Sequence, residues 1–288
     1  MGANRRWKAC EREAALLWLE TLREQYHRRT WLGSDPLQFV HRYRDPDDQE
    51  IIGLLAASLA YGNVAVIHRS MEEVVRRMVG LPAAWLRGTG EREIRHAVAG
   101  FRHRWTDEVA LGDLLVGMAR AIRSHGSLGS LFRELDQPGD DYRNTLTAWV
   151  KVLRGAAMRG GRHLLADPAA NSPCKRLYLY ARWMIRRDEI DPGCWTGLDP
   201  ARLVIPLDTH IFAFAKAARF TRRARPDGRA ALEITHQFRL LRPDDPVRYD
   251  FALTRPGILH GWRPGTRPPW SIHFDTPDVH INTPIRTV

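Results

Sequence analysis

Apolar residues at helical spacing restrict the fold of this chain more than any other feature of its sequence. They recur about every 3.6 residues, whereas the apolar–polar alternation of β-strands is scarce. The fold class is therefore predicted to be mainly α. Helices are predicted over residues 14–26, 50–79 with an interruption at 60–63, 111–124, 141–157, 173–186, 209–218, 229–241 and 247–253.

The length of 288 residues allows a sizeable core, and the helical pattern extends to about residue 260. A helical domain is predicted over residues 1–260. From residue 261 onward the helical period is lost and Pro, Thr and His accumulate, so an irregular tail is predicted over residues 261–288.

The formal net charge of +11 points to a polyanionic partner, because a positive field attracts nucleic acid at long range. An arginine-rich proteome would produce the same excess without such a role, so this alternative stays open. The sequence contains no apolar stretch long enough to span a membrane and no apolar signal segment at its start. We therefore expect a cytoplasmic location and no membrane partner.

The three cysteines, Cys10, Cys174 and Cys194, form no CxxC pair. This spacing indicates neither a disulfide framework nor a cysteine-held metal site. No metal or organic cofactor is predicted.

Lys175 is unusual in a chain that uses arginine for nearly all of its cations. The preceding Ser172 and Pro173 are typical of a helix start, with Ser172 as the N-cap and Pro173 as the first helical residue. Lys175 would then lie in the first turn, where the helix dipole favours a neutral amine. A neutral amine is the form that attacks carbon in Schiff-base chemistry. A surface lysine in contact with phosphate or solvent is the alternative.

Asp208 follows an apolar run and opens a new helical pattern. Aspartate is among the best N-caps, so a structural role is one interpretation. A carboxylate oriented in this way also suits the stabilisation of a developing cation. A metal-dependent hydrolase using Asp208, His210 and His260 or His273 is a third interpretation, although no further ligand stands at a persuasive spacing.

The order of a lysine at a helix start followed by the LDTH segment at 207–210 resembles the helix-hairpin-helix superfamily of DNA glycosylases, which includes endonuclease III. The likeness extends over about residues 50–260. It implies that Lys175 is the nucleophile and Asp208 the essential carboxylate. It also implies a two-lobed helical fold with the active site in the cleft between the lobes.

The long interval between Lys175 and Asp208 is similar to that of the archaeal 8-oxoguanine DNA glycosylase branch. Two features depart from endonuclease III: the hairpin LPGVGxK is replaced by AANSPCK, which lacks both glycines, and the cysteine-ligated iron–sulfur cluster has no counterpart. The segments SPCKRL and IPLDTHI are also similar to those of a bacterial family without an assigned function.

The resemblance implies base-excision repair of double-stranded DNA by a nucleoid-associated monomer. The enzyme would remove an oxidised purine, with 8-oxoguanine favoured, through a lysine Schiff base and β-elimination. The alternative is a non-catalytic nucleic-acid-binding protein on the same scaffold, in which Lys175 contacts phosphate and Asp208 is only a cap.

Further site residues are expected around these two positions. Tyr178 and Arg182 stand three and seven residues after Lys175, so one helix face should carry all three. Arg186 and Arg187 are further candidates for phosphate contacts, whereas core packing is the alternative for each aromatic residue. The substrate-binding residues are predicted to be Tyr178, Arg182, Trp183, Phe212 and Asp250, and the DNA-binding residues Tyr61, Asn63, Ser172, Arg176 and His210.

Overall fold

The computed structural model describes residues 7–271, apart from residues 156, 157, 159, 266 and 267. In this part of the chain helices dominate, which confirms the mainly α prediction. The helices are α1 (Ala9–Tyr26), α2 (Pro46–Leu59), α3 (Val64–Arg77), α4 (Pro82–Gly88), α5 (Glu91–Ala97), α6 (Glu108–His125), α7 (Leu128–Glu134), α8 (Arg143–Arg154), α9 (Lys175–Ile185), α10 (Thr209–Ala217), α11 (Gly228–Leu241) and α12 (Asp250–His260). A short hairpin pairs β1 (Arg102–His103) with β2 (Thr106–Asp107).

Helix α2 lies at the centre of the core, because every residue from Glu50 to Leu59 is buried. It packs against α9, and Gly53 permits this close approach. A Cβ at Gly53 would lie 2.8 Å from the Met184 methyl group of α9. The contact fixes α9, and therefore Lys175 at its start, against the core.

Glu50 joins α2 to α7 through a buried carboxylate. Its two oxygens accept hydrogen bonds from the backbone N–H groups of Leu128 and Gly129 and from the indole N–H of Trp195. Burial raises the pKa of Glu50 to about 7, although these three donors act in the opposite direction. Trp195 is thus a core residue of the helical packing.

Several elements differ from the sequence prediction at their ends. Helix α9 begins at Lys175 and not at Pro173, because Cys174 adopts a left-handed conformation with φ of 44°. Helix α12 continues through Pro256 to His260, well beyond the predicted end at residue 253. The predicted helix end at residue 157 lies outside the described residues. Helices α4, α5 and α7 have seven residues each, too few for a clear apolar period, and were not predicted.

The described part of the tail includes a short 3-10 helix at Pro269–Ser271. The Trp270 ring is buried and lies 5.8 Å from Trp7 and 6.1 Å from Phe214. The tail therefore packs onto the helical core at this point. Residues 272–288 of the irregular tail predicted over 261–288 lie outside the described residues. Among the described helices, none has both the length and the apolar character needed to cross a membrane.

Candidate active site

A cavity of about 550 Å³ lies at the start of α9. Its walls come from residues 34–36, from the 60–62 loop after α2, from residues 172–177, from the start of α10 and from α12. Lys175 and Asp208 both line it. Two residues that lie far apart in the sequence therefore share one cavity.

The Lys175 amine and the Asp208 carboxylate face each other within this cavity. Lys175 Nζ lies 3.7 Å from Asp208 Oδ2, and the two side chains are 39% and 12% exposed. The amine is thus accessible from the solvent, whereas the carboxylate is mostly enclosed. A pair of this kind can present a nucleophile and a negative charge to one carbon atom.

Asp208 serves both as a helix cap and as a wall of the cavity. Its Oδ1 accepts a hydrogen bond of 2.8 Å from the backbone N–H of Ile211, as expected for the N-cap of α10. Its Oδ2 is the oxygen nearest to Lys175. The cap bond fixes the orientation of the carboxylate, so the structural and the chemical interpretation of this residue are compatible.

The turn before Lys175 holds two residues in left-handed conformations, Asn171 with φ of 54° and Cys174 with φ of 44°. Helix α9 starts after this turn, where the Tyr178 N–H donates to the Cys174 carbonyl at 3.0 Å. Ser172 is therefore not the helix N-cap that the sequence predicted. Its hydroxyl accepts a hydrogen bond of 3.4 Å from the Cys174 N–H and lines the cavity.

The start of α11 supports the same turn. The Gly228 N–H donates to the Asn171 carbonyl at 2.9 Å, and the Arg229 N–H donates to Asn171 Oδ1 at 3.1 Å. A Cβ at Gly228 would lie 3.0 Å from the Ser172 carbonyl oxygen. The start of α11 is thus anchored to the turn that precedes Lys175.

The connection between α10 and α11 carries a strong positive charge. Its two acidic neighbours, Asp227 and Glu233, are both engaged in ion pairs with Arg223. The exposed arginines of this connection and of the first turn of α11 are Arg219, Arg222, Arg225 and Arg229. We call these four the basic connection; the Arg229 N–H joins it to Asn171, in the turn before Lys175.

The inner wall contains Arg182 and Asp250, which form a buried ion pair. Arg182 is also paired with Asp191 at 3.0 Å, so its guanidinium is held within the protein. Burial would lower the pKa of Arg182, but the two carboxylates raise it overall. Arg182, which was predicted to bind substrate, lines the cavity, and these pairs make it a support for Asp250 more than a free cation.

Asp250 has a strongly perturbed acidity. Burial is the main cause, and the negative charge of Asp208 adds to it, whereas Arg182 acts in the opposite direction. The net effect raises the pKa of Asp250 to about 7. The raised pKa reflects a buried acid close to a second carboxylate at the wall of the cavity.

The sequence interpretation missed a second charged pair at the cavity. Arg255 Nη2 donates to Asp35 Oδ2 at 2.8 Å, and its guanidinium lies 4.2 Å from the Phe251 ring centre. Thr254 lines the same wall. The sequence did contain a signal for this wall of the cavity. Asp250 and Thr254 lie four residues apart in an otherwise apolar segment, so they share one face of a helix. Nothing local marked Asp35, which reaches the cavity only through the tertiary fold.

Tyr178 and Trp183, which were predicted to contact a substrate, do not lie at the cavity. Tyr178 is 3% exposed, Trp183 is 0% exposed, and neither lines the cavity. The cavity face of α9 follows Lys175, Leu179 and Arg182, at steps of four and seven residues. Tyr178 precedes Leu179 by one residue, and its side chain is buried in the core, where burial raises the pKa of its hydroxyl.

Three further predicted residues are occupied elsewhere. Phe212 is half-buried against the core and Asn63 caps α3 by accepting from the Ala65 N–H at 2.9 Å; neither lines the cavity. Arg176 lines it but is half-buried, and its guanidinium donates to the carbonyls of Ser58 and His163. Arg176 therefore fixes the protein backbone in this conformation and is not free to bind phosphate.

The two remaining rim candidates differ from each other. Arg186 is buried, with pairs to Asp191 and Asp245 at 2.8 Å, which excludes it from a phosphate-binding surface in this conformation. Arg187 is exposed.

Tyr61 and His210, which were predicted to bind DNA, both line the cavity. The Tyr61 hydroxyl donates to the His103 carbonyl at 2.9 Å and lies 2.6 Å from the Thr106 hydroxyl, so its ring is fixed. The His210 ring packs against α12 at Gly257, where a Cβ would overlap the imidazole. The glycine is thus required for the position of His210.

Within the described residues, no three His, Cys, Asp or Glu side chains come together as metal ligands. His260 is exposed on α12. His273, the other histidine considered for a metal site, lies outside the described residues.

Comparison with known proteins gives one relationship. The model of the family described as "Protein of unknown function (DUF2400)" matches residues 35–259, which include every wall of the cavity except residue 34. No curated protein and no solved structure shows a significant match. Because the matched segment covers most of the chain, this protein belongs to the DUF2400 family of proteins of unknown function.

Proposed function

We propose that this protein is a DNA glycosylase with AP lyase activity, built on the two-lobed helix-hairpin-helix scaffold with the cavity as the cleft between the lobes. The observation that carries the proposal is the distance of 3.7 Å between Lys175 Nζ and Asp208 Oδ2 at the wall of an accessible cavity. An oxidised purine is the proposed target, and 8-oxoguanine is favoured by the resemblance to the archaeal branch.

The substrate has to leave the DNA helix before it can react. A base inside a duplex is inaccessible to Lys175, so the nucleotide must rotate into the cavity at a cost of roughly a few kcal/mol. The volume of about 550 Å³ accommodates a purine nucleoside. The basic connection, which is bonded at the Arg229 N–H to Asn171 in the turn before Lys175, offers four exposed cations for the phosphates on either side of the rotated nucleotide.

Base excision begins with the neutral Lys175 amine. Its nitrogen attacks C1′ of the deoxyribose, the bond from C1′ to the base breaks, and the bonding electrons leave with the base. Positive charge develops on the sugar during this step. The Asp208 carboxylate, oriented by the Ile211 N–H, stabilises this charge and accepts a proton from the lysine.

Strand cleavage follows from the covalent intermediate. The nitrogen lone pair breaks the bond from C1′ to O4′, O4′ takes the proton held by Asp208, and a protonated imine forms between Lys175 and C1′. The expelled base, which left with the bonding electrons, takes a proton from C2′. The electrons of that C–H bond then expel the 3′ phosphate by β-elimination, which nicks the strand. Water hydrolyses the imine and regenerates the lysine, so the chemistry requires no redox partner.

The walls of the cavity would recognise the extruded base. Asp250 and His210 lie on the side of Asp208 and are proposed as polar contacts for it. Arg182 and Arg255 hold Asp250 and Asp35 in ion pairs, which fixes the shape of this wall. The proposed partner is double-stranded DNA with a damaged base, bound by a monomer associated with the nucleoid.

A product assay tests this function. Labelled duplexes that contain either 8-oxoguanine or guanine at one position are incubated with the protein, and the strands are separated on a denaturing gel. We expect a nick at 8-oxoguanine alone, absent in Lys175→Gln. Binding of the duplex without release of any base by the wild-type protein would contradict the glycosylase and favour the non-catalytic nucleic-acid-binding alternative.

A further inference from the structure

The tip of the β1–β2 hairpin presents an exposed tryptophan near the cavity. Arg102 pairs with Asp107 and His103 with Thr106, so the tip consists of Arg104 and Trp105. Trp105 is 60% exposed, an unusual state for so large an aromatic side chain. A ring this exposed contributes little to the core.

The stem of the hairpin is held by buried polar contacts. The Thr106 hydroxyl lies 2.7 Å from His163 Nε2 and 2.6 Å from the Tyr61 hydroxyl. His103 is 1% exposed, and its Nδ1 lies 2.8 Å from the Ser70 hydroxyl. The stem is therefore fixed without help from the Trp105 ring.

One face of Trp105 rests on a wall residue of the cavity. Its ring stacks on Tyr61 with a centre-to-centre distance of 4.6 Å and an angle of 18° between the planes. Tyr61 lines the cavity, and the Arg176 guanidinium, next to Lys175 in sequence, lies 5.0 Å from the Tyr61 ring centre. Trp105 is thus connected to α9, the helix that begins at Lys175, through a single aromatic ring.

Arg104 adopts a conformation that favours glycine. Its φ is 55°, and the side chain folds over Gly62 and places its guanidinium carbon 4.9 Å from the Trp105 ring centre. Gly62 has a φ of 97°, and a Cβ there would lie 2.8 Å from Arg104 Cδ. A left-handed turn position disfavours a residue with a side chain, so the arginine is retained at a conformational cost.

We propose that the Arg104–Trp105 tip stacks on one unstacked nucleobase of the DNA next to the cavity. An exposed indole offers a flat apolar surface to any base, and Arg104 adds a positive charge beside it for the DNA backbone. Tyr61 was predicted to bind DNA, but its hydroxyl is hydrogen-bonded and its ring is stacked against Trp105. Trp105 is the ring that remains available.

The inference rests on the proposed function only in placing DNA at the cavity, so its test avoids the lysine chemistry. Duplexes with a tetrahydrofuran abasic analogue, which has no aldehyde, carry 2-aminopurine in the opposite strand. Affinity for this duplex and for an intact one is measured by fluorescence anisotropy. The 2-aminopurine signal reports whether that base is unstacked from the duplex and stacked on the protein.

Trp105→Ala is expected to bind the abasic duplex about tenfold more weakly than the wild type, with about twofold loss or less for the intact duplex. In Trp105→Ala, the change of 2-aminopurine fluorescence on binding should also disappear. Trp105→Phe should keep most of both effects, since a ring remains. Leu81→Ala is the matched control, because Leu81 is also 60% exposed but lies on another element.

Arg104→Gly separates binding from folding. Glycine fits the left-handed position, so the melting temperature should equal or exceed that of the wild type while affinity for the abasic duplex falls. Equal affinity of wild type, Trp105→Ala and Arg104→Gly, or no binding of abasic DNA by the wild type, would overturn the inference. A Trp105 effect together with no Lys175 adduct would leave it standing and overturn only the proposed chemistry.

Discussion

Lys175 Nζ lies 3.7 Å from Asp208 Oδ2, and each residue stands at the start of its own helix. The positive ends of the α9 and α10 dipoles therefore meet at one cavity wall. The two helix starts thus bring an amine and a carboxylate to the same wall of the cavity.

Asp208→Asn should separate the cap role from the chemical role. Asparagine is nearly as good an N-cap as aspartate, so the free energy of unfolding should change by less than about 0.5 kcal/mol. The negative charge is lost, and excision should slow by on the order of a hundredfold or more. Single-turnover rates on an 8-oxoguanine duplex and urea unfolding measure the two effects.

Asp45→Asn is the control for this substitution. Asp45 caps α2 by accepting from the Asp47 N–H at 2.8 Å and does not line the cavity. The stability change should be similar, with excision unaffected. Equal rates for Asp208→Asn and Asp45→Asn would show that Asp208 is only a cap.

Gly257→Ala should destabilise the protein although alanine is the better helix former. At an open helix position the exchange would gain up to about 1 kcal/mol. Here the new methyl group would overlap the His210 ring, so a loss of about 1–3 kcal/mol is expected. His210→Ala in the same chain should cancel most of this loss. Urea unfolding of both single variants and of the double variant tests the coupling.

Gly88→Ala is the matched control for Gly257. Gly88 is exposed at the end of α4, and a Cβ there would have nothing within 4 Å. The free energy of unfolding of Gly88→Ala should equal that of the wild type or be slightly higher. Additive effects in Gly257→Ala and His210→Ala would refute the proposed contact.

Asp250 should make stability depend on pH between about 4 and 7. In the folded protein its pKa is raised to about 7 from an ordinary value of 3.8, so the folded state binds the extra proton in this window. The contribution of Asp250 to stability is fully present below pH 4 and lost as the pH rises through 7. The stability of the wild type minus that of Asp250→Asn should therefore fall over this range and level off above it. Urea unfolding of both proteins at pH 4, 5.5, 7 and 8.5 measures this difference. A difference that stays constant with pH would contradict the raised pKa of Asp250.

The basic connection should govern the salt dependence of DNA binding. Each phosphate contact contributes about 0.9 to the slope of log affinity against log salt concentration. Replacing Arg219, Arg222, Arg225 and Arg229 by Gln should lower the slope by about 2–4 if the four contact phosphates. A control with equal charge loss replaces the exposed residues Arg12, Arg44, Arg76 and Arg92. The same slope in both variants would show that only net charge matters.

The helical architecture could be predicted from the sequence because long helices repeat the same apolar spacing many times. Helices α10 and α11 were predicted to within one residue at either end. The predicted start of α9 was wrong because Cys174 adopts a left-handed conformation, and no sequence pattern predicts that conformation for a cysteine. The seven-residue helices and the hairpin are stabilised by tertiary contacts that a local pattern does not contain.

At the site, local chemistry located Asp208 and the lysine but not their surroundings. Asp208 was recognisable because an N-cap is a local signal, and its proximity to Lys175 was expected only from the resemblance. Tyr178 shares the predicted helix face but does not line the cavity, because helical spacing selects a stripe broader than the cavity face. Asp35 and Trp105 reach the site only by folding, which no spacing in the sequence reveals.

Reductive trapping tests the central claim most directly. The protein is mixed with a duplex that carries an aldehydic abasic site, borohydride is added, and the cross-linked peptide is identified by mass spectrometry. The four lysines provide internal controls, so Lys175→Gln is compared with Lys8→Gln, Lys151→Gln and Lys216→Gln. We expect one adduct, on Lys175, which Lys175→Gln alone abolishes while it still binds a tetrahydrofuran duplex. An adduct that persists in Lys175→Gln, or none with the wild-type protein, would contradict the assignment of Lys175 as the nucleophile.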